Sequence, residues 1–567
     1  MENKALQMGK SSTAGSFFLL IGIVGSTVIM ALGTMFLAGM LTDAELGLYG
    51  IVLIPSTTIA FFRDLGVNSA MTQKIANLRA ANKSHEIHDV ILSGIIFELI
   101  SGILLSLICF AVAQPLALIL NRPEASPLIA LMSVSIFAST IVSASSSIFV
   151  GFEKMKLNSF AQILQALIKT LLGPLLVFLG FSVLGAVLGS IVSITAGGLI
   201  SILLVYFVLF RPLRKLKVDK CDVKRTLTPM LKYGIPLTLS NIVVGVLPQI
   251  FAFFMALYVS DGIMGNYYAA TYFSVLVTFI SFPISTALFP AFSKLNPESE
   301  PELVKTVFSS SVKYTSIFLI PTTMLLMTLA TPLVYTLFPK DGILQALFVV
   351  GAEPKFPYAP TFLVISSIVN LFVLFGNVSL ATFQTGIGKT KQIMKQSLLS
   401  LAISLPFSYA IITYFGTYGG AMSEVLVVIG GILAVMVSTI PGMAWGLMWS
   451  WKNYHVKADF KSSVKIFASS LTASIVAYAF LAVFNAPYII LLITGALLFL
   501  LVYLVSAPLI GAVNRIDLDN LKSLSSGLGV ISKILEIPIL FMRKICKEPP
   551  PQQNEEIYTG SNIEYSN

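Results

Sequence analysis

A chain of 567 residues that is 56% hydrophobic and only 11% charged, with a mean hydropathy of +0.88, cannot keep its surface wet as a soluble globule. It reads as an all-α polytopic membrane protein, because apolar runs of about 20 residues cross a ~30 Å hydrocarbon core as helices. The formal charge of +10 does not point to nucleic acid, since the basic residues sit in short loops between apolar runs, where membrane topology accounts for them.

Residues 1–15 carry Lys4 and Lys10 ahead of an apolar run from Ser16 to Leu41, which is too long for a signal-peptide core and forms the first span. Further spans at 45–62, 90–113, 127–150, 159–181 and 183–209 complete an N-terminal six-helix lobe over residues 1–210. A basic cytoplasmic connector, 211–229, leads to a second six-helix lobe, 230–448, with spans near 231–259, 263–291, 311–337, 359–384, 397–415 and 419–447. Two additional transmembrane helices fill 449–512, giving fourteen spans in all. With the N-terminus inside, only Arg122, Lys340 and Lys355 fall outside and Lys169 within a span, so both termini are expected to be cytoplasmic. In the tail, 513–567, Leu521, Leu524, Leu528, Ile531 and Leu535 have amphipathic helical spacing, for the inner membrane surface or the bundle. Pro538 is expected to break that helix, and residues 548–567 read as a disordered end.

The lobes carry repeated landmarks. Thr42-Asp43-Ala44-Glu45-Leu46-Gly47-Leu48-Tyr49 returns as Ser260-Asp261-Gly262-Ile263-Met264-Gly265-Asn266-Tyr267, with Asp, Gly and Tyr at identical spacing. Gly151, Lys154 and Lys156 are echoed by Gly386, Lys389 and Lys391. Six spans preserve orientation, so the lobes should be pseudo-symmetric about an axis along the membrane normal.

Chemistry concentrates in the fifth span, where Gln162, Gln165 and Lys169 share one helix face. Lys169 lies ~15 Å from the inner end of its span, near the bilayer midplane. A central lysine costs ~2.5–3.5 kcal/mol on insertion scales, so it should face a polar cavity or a partner. Glu98, ~12 Å into the third span from the same side, is that partner if the two form a structural salt bridge. Otherwise Lys169 is a cavity cation that meets substrate or coupling ion. The second-lobe counterpart is near Ser404, so the architecture itself does not require the charge. Asn241 and Gln249 in the seventh span, and Asn370, Asn377 and Gln384 in the tenth, are neutral and serve as cavity groups or interhelical hydrogen-bond partners. Arg63, where the second span leaves the membrane, is either a cavity-mouth contact for an anionic head group or a topological anchor. Prolines at 55, 174, 248, 283, 321 and 406 interrupt spans as candidate hinges.

No catalytic constellation is visible. Gly386-Ile-Gly388-Lys389-Thr390 lacks the leading glycine and strand of a phosphate-binding loop, and His85, His88 and His455 have no metal-ligand spacing. Asp517-Leu-Asp519 stands ahead of a helix, where capping explains it. The three cysteines are expected to be free thiols, and no cofactor or metal is called for.

Glu45-x-Gly47-x-Tyr49-Gly50, Asp64-Leu65-Gly66 closing the second span, Lys232-Tyr-Gly234-Ile-Pro236 opening the second lobe, Gly265-x-Tyr267 and Phe289-Pro290 resemble the oligosaccharide-lipid flippases of the polysaccharide biosynthesis type. The resemblance covers about residues 10–510 and extends to the superfamily that includes multidrug and toxin extrusion transporters. It implies two six-helix lobes forming a V, and a central cavity opening alternately to each face of the plasma membrane. The substrate implied is a polyprenyl-linked oligosaccharide, with proton or sodium as coupling cation and membrane lipids around the tail. The first span lacks the arginines of the peptidoglycan-precursor branch, which argues against that substrate. Competing readings are a cation-coupled drug exporter of the same fold, which should favour cavity carboxylates, and a membrane glycosyl- or acyltransferase, which needs an acceptor-site base.

Overall fold

The computed structural model describes residues 22–81, 83–211, 222–295, 297–342, 349–525 and 530–546. In the first lobe, α1 (Gly22–Met40) and α2 (Asp43–Ala60) are followed by a short α3 (Val67–Ala80), then α4 (Ser84–Ile119), α5 (Ala125–Gly151), α6 (Met155–Leu176) and α7 (Ser182–Leu204). The second lobe runs α8 (Val223–Ala256), α9 (Asp261–Tyr272), α10 (Ser274–Ser293), α11 (Pro301–Thr328), α12 (Ala330–Leu337), α13 (Ala359–Ser367), α14 (Asn377–Gly386), α15 (Thr390–Tyr418) and α16 (Ser423–Tyr454). After it come α17 (Phe460–Val483), α18 (Tyr488–Leu509), α19 (Arg515–Ser525) and α20 (Val530–Ile545).

Among the described residues nine helices are long and apolar enough to cross a membrane, or eleven when each of two bent pairs counts as one span. The bent pairs are α11 with α12, at 66°, and α13 with α14, at 56°. Neither bend falls at a proline expected to act as a hinge. Pro332 explains the first, because its ring opposes the carbonyl four residues back, at Thr328 where α11 ends. The second falls at Gly376, whose φ of 82° follows a 3-10 stretch from Ile368 to Phe375.

The repeated turns build the seam between lobes. In the first copy Thr42 Oγ1 accepts from the Glu45 amide at 3.2 Å and Glu45 Oε2 accepts from the Thr42 amide at 2.8 Å, a capping box that starts α2. In the second copy the helix has Ile263 in place of Glu45, and the Ser260 amide donates instead to Glu424 Oε2 on α16, at 3.0 Å. Both lobes therefore satisfy the same amide with a carboxylate brought from different parts of the chain.

Helices α2 and α9 then pack along each other with almost no space between their backbones. A Cβ on Gly47 would lie 1.8 Å from the Asp261 carbonyl oxygen, and one on Gly265 would lie 1.9 Å from that of Asp43. Such reciprocity, in which residue i meets j while j meets i, is the mark of a two-fold relation. Three residues further on, at matching positions of the repeat, Gly50 faces Tyr268, whose ring would stand 2.1 Å from a Cβ at Gly50.

The tail departs from the expected single amphipathic helix. Two helices are present, α19 and α20, and Pro538 lies inside α20 rather than ending it. The missing hydrogen bond is tolerated because α20 packs on α18, with Ile539, Met542 and Cys546 buried. Asn514 and Asp517 cap α19 reciprocally, at 2.9 and 2.8 Å, and Lys313 Nζ on α11 pairs with Asp517 at 2.7 Å, tying the tail to the bundle. Cys109 and Cys546 are free thiols; Cys221, part of the 211–229 connector and the end at 547–567 lie outside the described residues.

Candidate functional site

The polar face of α6 opens onto a cavity of about 280 Å³ lined by α1, α2, α5, α6 and α7. Lys169 and Gln165 line it from α6, Ser56, Thr57 and Arg63 from the α2 side, Ser135 and Ser139 from α5, and Ser190 and Ser193 from α7. All of the lining belongs to the first lobe, whereas the resemblance placed the head-group site between lobes. The second lobe touches its edge through Gln249, whose Oε1 accepts from Thr57 Oγ1 at 3.1 Å.

Arg63 is held by its own fork. Nη1 donates to Ser139 Oγ at 2.9 Å and Nη2 to Ser143 Oγ at 2.7 Å, so α5 fixes the guanidinium at the cavity wall. Lys169 is half-buried, and among the described residues no carboxylate pairs with it. The lining thus offers two cationic side chains, hydroxyls and an amide, and no carboxylate. In a membrane interior this combination suits an anion.

Glu98 does not pair with Lys169. It lies 1% exposed in α4, where its Oε1 accepts from Asn68 Nδ2 at 2.9 Å. The Asp64 carboxylate, which accepts the Asn68 amide at 2.7 Å and so caps α3, also meets Glu98 side chain to side chain. Asp64 and Arg63 are the charged groups that act on Glu98, so this acidic cluster and the cavity share Arg63 as their boundary. Glu98 Oε2, Asn68 Oδ1 and Arg63 Nε are buried with no hydrogen-bond partner.

The remaining expected residues are dispersed. Gln162 lies on α6 without lining the cavity, as do Asn370 in the 3-10 stretch and Asn377 at the start of α14. The Asn241 side chain falls outside the described residues. Gln384 belongs to a buried amide network, accepting from Gln396 Nε2 at 3.0 Å and donating to Ser450 Oγ at 3.2 Å, which ties α14 to α15 and α16. Sequence reasoning passed over the serines of α5. Ser135, Ser139 and Ser143 recur every four residues, a polar stripe in an apolar span that announces a wet face.

The described residues form a helical membrane bundle with a cationic, hydroxyl-lined cavity in its first lobe, and no group of three or more metal-ligating side chains occurs among them. Residues 12–296 match the family model described as polysaccharide biosynthesis protein, and the chain belongs to that family. Its fold is like that of solved structures described as MOP superfamily transporters. The structure titled lipid II flippase MurJ, in an inward closed conformation, superposes with a TM-score of 0.66 at 18% identity, covering 87% of this chain and 98% of that one. An inward-facing multidrug resistance MATE family transporter gives 0.60 at 18% identity, covering 75% and 94%. A MOP superfamily transporter from Pyrococcus furiosus, described as having a binding pocket of reverse polarity, gives 0.51 at 19% identity, covering 78% and 96%. No curated protein sequence matches the chain.

Proposed function

We propose that this protein moves a lipid-linked oligosaccharide or polysaccharide precursor across the plasma membrane by alternating access, holding the phosphate of its polyprenyl carrier at Lys169 and Arg63. The observation that carries this reading is the charge of the cavity, which is cationic and free of carboxylates among its lining residues. A drug exporter for cations would be served by the opposite lining. Family membership supports a polysaccharide precursor, and the fold shared with a protein titled a lipid II flippase supports a lipid-linked one.

The physics of the task matches these residues. A sugar head group cannot cross hydrocarbon unaided, so it needs a wet path while its tail stays in lipid. Lys169 attracts a phosphate as a point charge without fixing its geometry, and Arg63 adds a planar fork, released when Ser139 and Ser143 give it up. At about 280 Å³ the cavity is below the usual ligand-pocket range of ~300–1,000 Å³, so it takes a phosphate in this state and an oligosaccharide only in a more open one.

The topology proposed with it has fourteen spans and both termini in the cytoplasm. Met155–Phe210, counted as one 56-residue helix, folds back at Gly180 and Ser182, where φ is 91° and 48°. That turn adds a span to the eleven, and α2 and α8 supply two more. The coupling cation proposed is a proton shared by Glu98 and Asp64, because the two carboxyl groups meet side chain to side chain and one proton can bridge them beside Arg63. Flipping of an oligosaccharide-lipid in proteoliposomes tests the reading. Lys169→Ala should abolish it at normal membrane abundance, and full flipping by that variant would overturn it.

A further inference from the structure

Two of the three basic residues expected outside the membrane are used alike. Arg122, in the turn joining α4 to α5, is 9% exposed, and its Nη1 donates to the Ala256 carbonyl at 2.7 Å and to that of Leu120 at 2.9 Å. Its Nη2 donates to the Val259 carbonyl and its Nε to Asp261. Lys355, in the loop joining α12 to α13, donates from Nζ to the Gly39 carbonyl and is attracted by Asp43 and Glu45.

These contacts are the same contact made twice. Each loop lies between the third and fourth spans of its lobe. Each sets a cation on the last carbonyls of the other lobe's first span, the negative end of that helix. Each also brings the cation beside the aspartate that opens the next helix, Asp261 in one case and Asp43 in the other. The glycine seam of Gly47 and Gly265 lies between them.

We propose that Arg122 and Lys355 form a double latch that holds this face of the transporter shut, and that both must release before the cavity opens to it. That the latched face is the outer one rests on the orientation proposed above. The two latches are unequal. Arg122 uses a buried fork with four acceptors, while Lys355 is half-buried and makes one hydrogen bond. Lys355 should therefore release first, with Arg122 setting how often the face opens.

The test is the distance between spin labels on Glu124→Cys and Tyr418→Cys, one in each lobe, in full-length protein with Cys109, Cys221 and Cys546 replaced, reconstituted in proteoliposomes. Arg122→Gln should raise the ratio of long to short distances about tenfold, and Lys355→Gln about threefold. Arg122→Asp should open the face, and adding Asp261→Arg should close it again, which a merely structural role would not do. Lys355 lies in a loop and its variant is expected to fold, so the idea stays testable if Arg122 variants do not accumulate. An unchanged distance distribution in folded Lys355→Gln and in Arg122→Gln overturns the latch. If distances respond but Tyr418→Cys reacts only with thiol reagents applied from inside, the latch stands and the orientation is what fails.

Discussion

Gly66 and Gly234 abut backbone to backbone: a Cβ on Gly66 would lie 2.2 Å from the Gly234 carbonyl oxygen, and one on Gly234 would lie 2.4 Å from that of Gly66. Gly66 also has φ of 81°, following Leu65 at 44°, so the turn after α2 presses against the body of α8, in a conformation few side chains allow. Gly234→Ala forces the two segments apart. The expected loss is about 1–3 kcal/mol of stability, as for overpacked sites, with greater access of thiol reagents to the cavity from that end. Thermal unfolding in detergent with accessibility of a cysteine at Ser56 measures both; an unchanged melting point would show that the contact is slack.

Lys169 and Arg63 should fail differently. Lys169 has no carboxylate partner among the described residues, so Lys169→Ala leaves nothing stranded and abundance should hold while flipping is lost. Lys169→Arg keeps the charge and should keep partial activity. Arg63→Lys also keeps charge but loses the planar fork and the reach with which two nitrogens meet Ser139 and Ser143, so substrate affinity should fall roughly tenfold with Lys169 still in place. Flipping rates against lipid concentration separate the cases.

Glu98→Gln preserves the shape and the acceptor that Asn68 uses, so the protein should accumulate normally. On the proton reading, its flipping should no longer respond to an imposed pH gradient, whereas the wild type should. A Glu98→Gln protein that still accelerates with the gradient would remove Glu98 and Asp64 as the coupling pair.

Topology has its own check. A cysteine at Asp341 should react with an impermeant thiol reagent applied outside, and one at Lys389 should not. The reverse pattern would invert every inside and outside assignment, leaving the contacts between residues untouched.

The helices were legible because each leg is an apolar run of roughly the length a bilayer demands, and the expected limits fall within a few residues of α5, α17 and α18, while α4 runs longer at both ends. Lys169 was legible because a lone cation in such a run is expensive. The partner of Glu98 was not. Asn68 lies on α3, an amphipathic segment between spans, and only the left-handed turn at Leu65 and Gly66 brings it under α4. The bend at Pro332 was also hidden, since that residue sits near the end of a long apolar run where nothing distinguishes it from Pro321, which lies inside unbroken α11.

The facing of Gly50 and Tyr268 bears on whether either lobe could pair with a copy of itself. These are equivalent positions of the two lobes, and they meet each other, so they stand where a symmetric pair of half-proteins would confront its own copy. Two copies of the second lobe would drive tyrosine into tyrosine there, and two copies of the first would leave glycine against glycine with a void between. A snug fit needs one of each, which a homodimer encoded by a single short gene cannot supply. The unlike pair suits two different lobes carried on one chain, and neither half can be expected to rebuild the seam with itself.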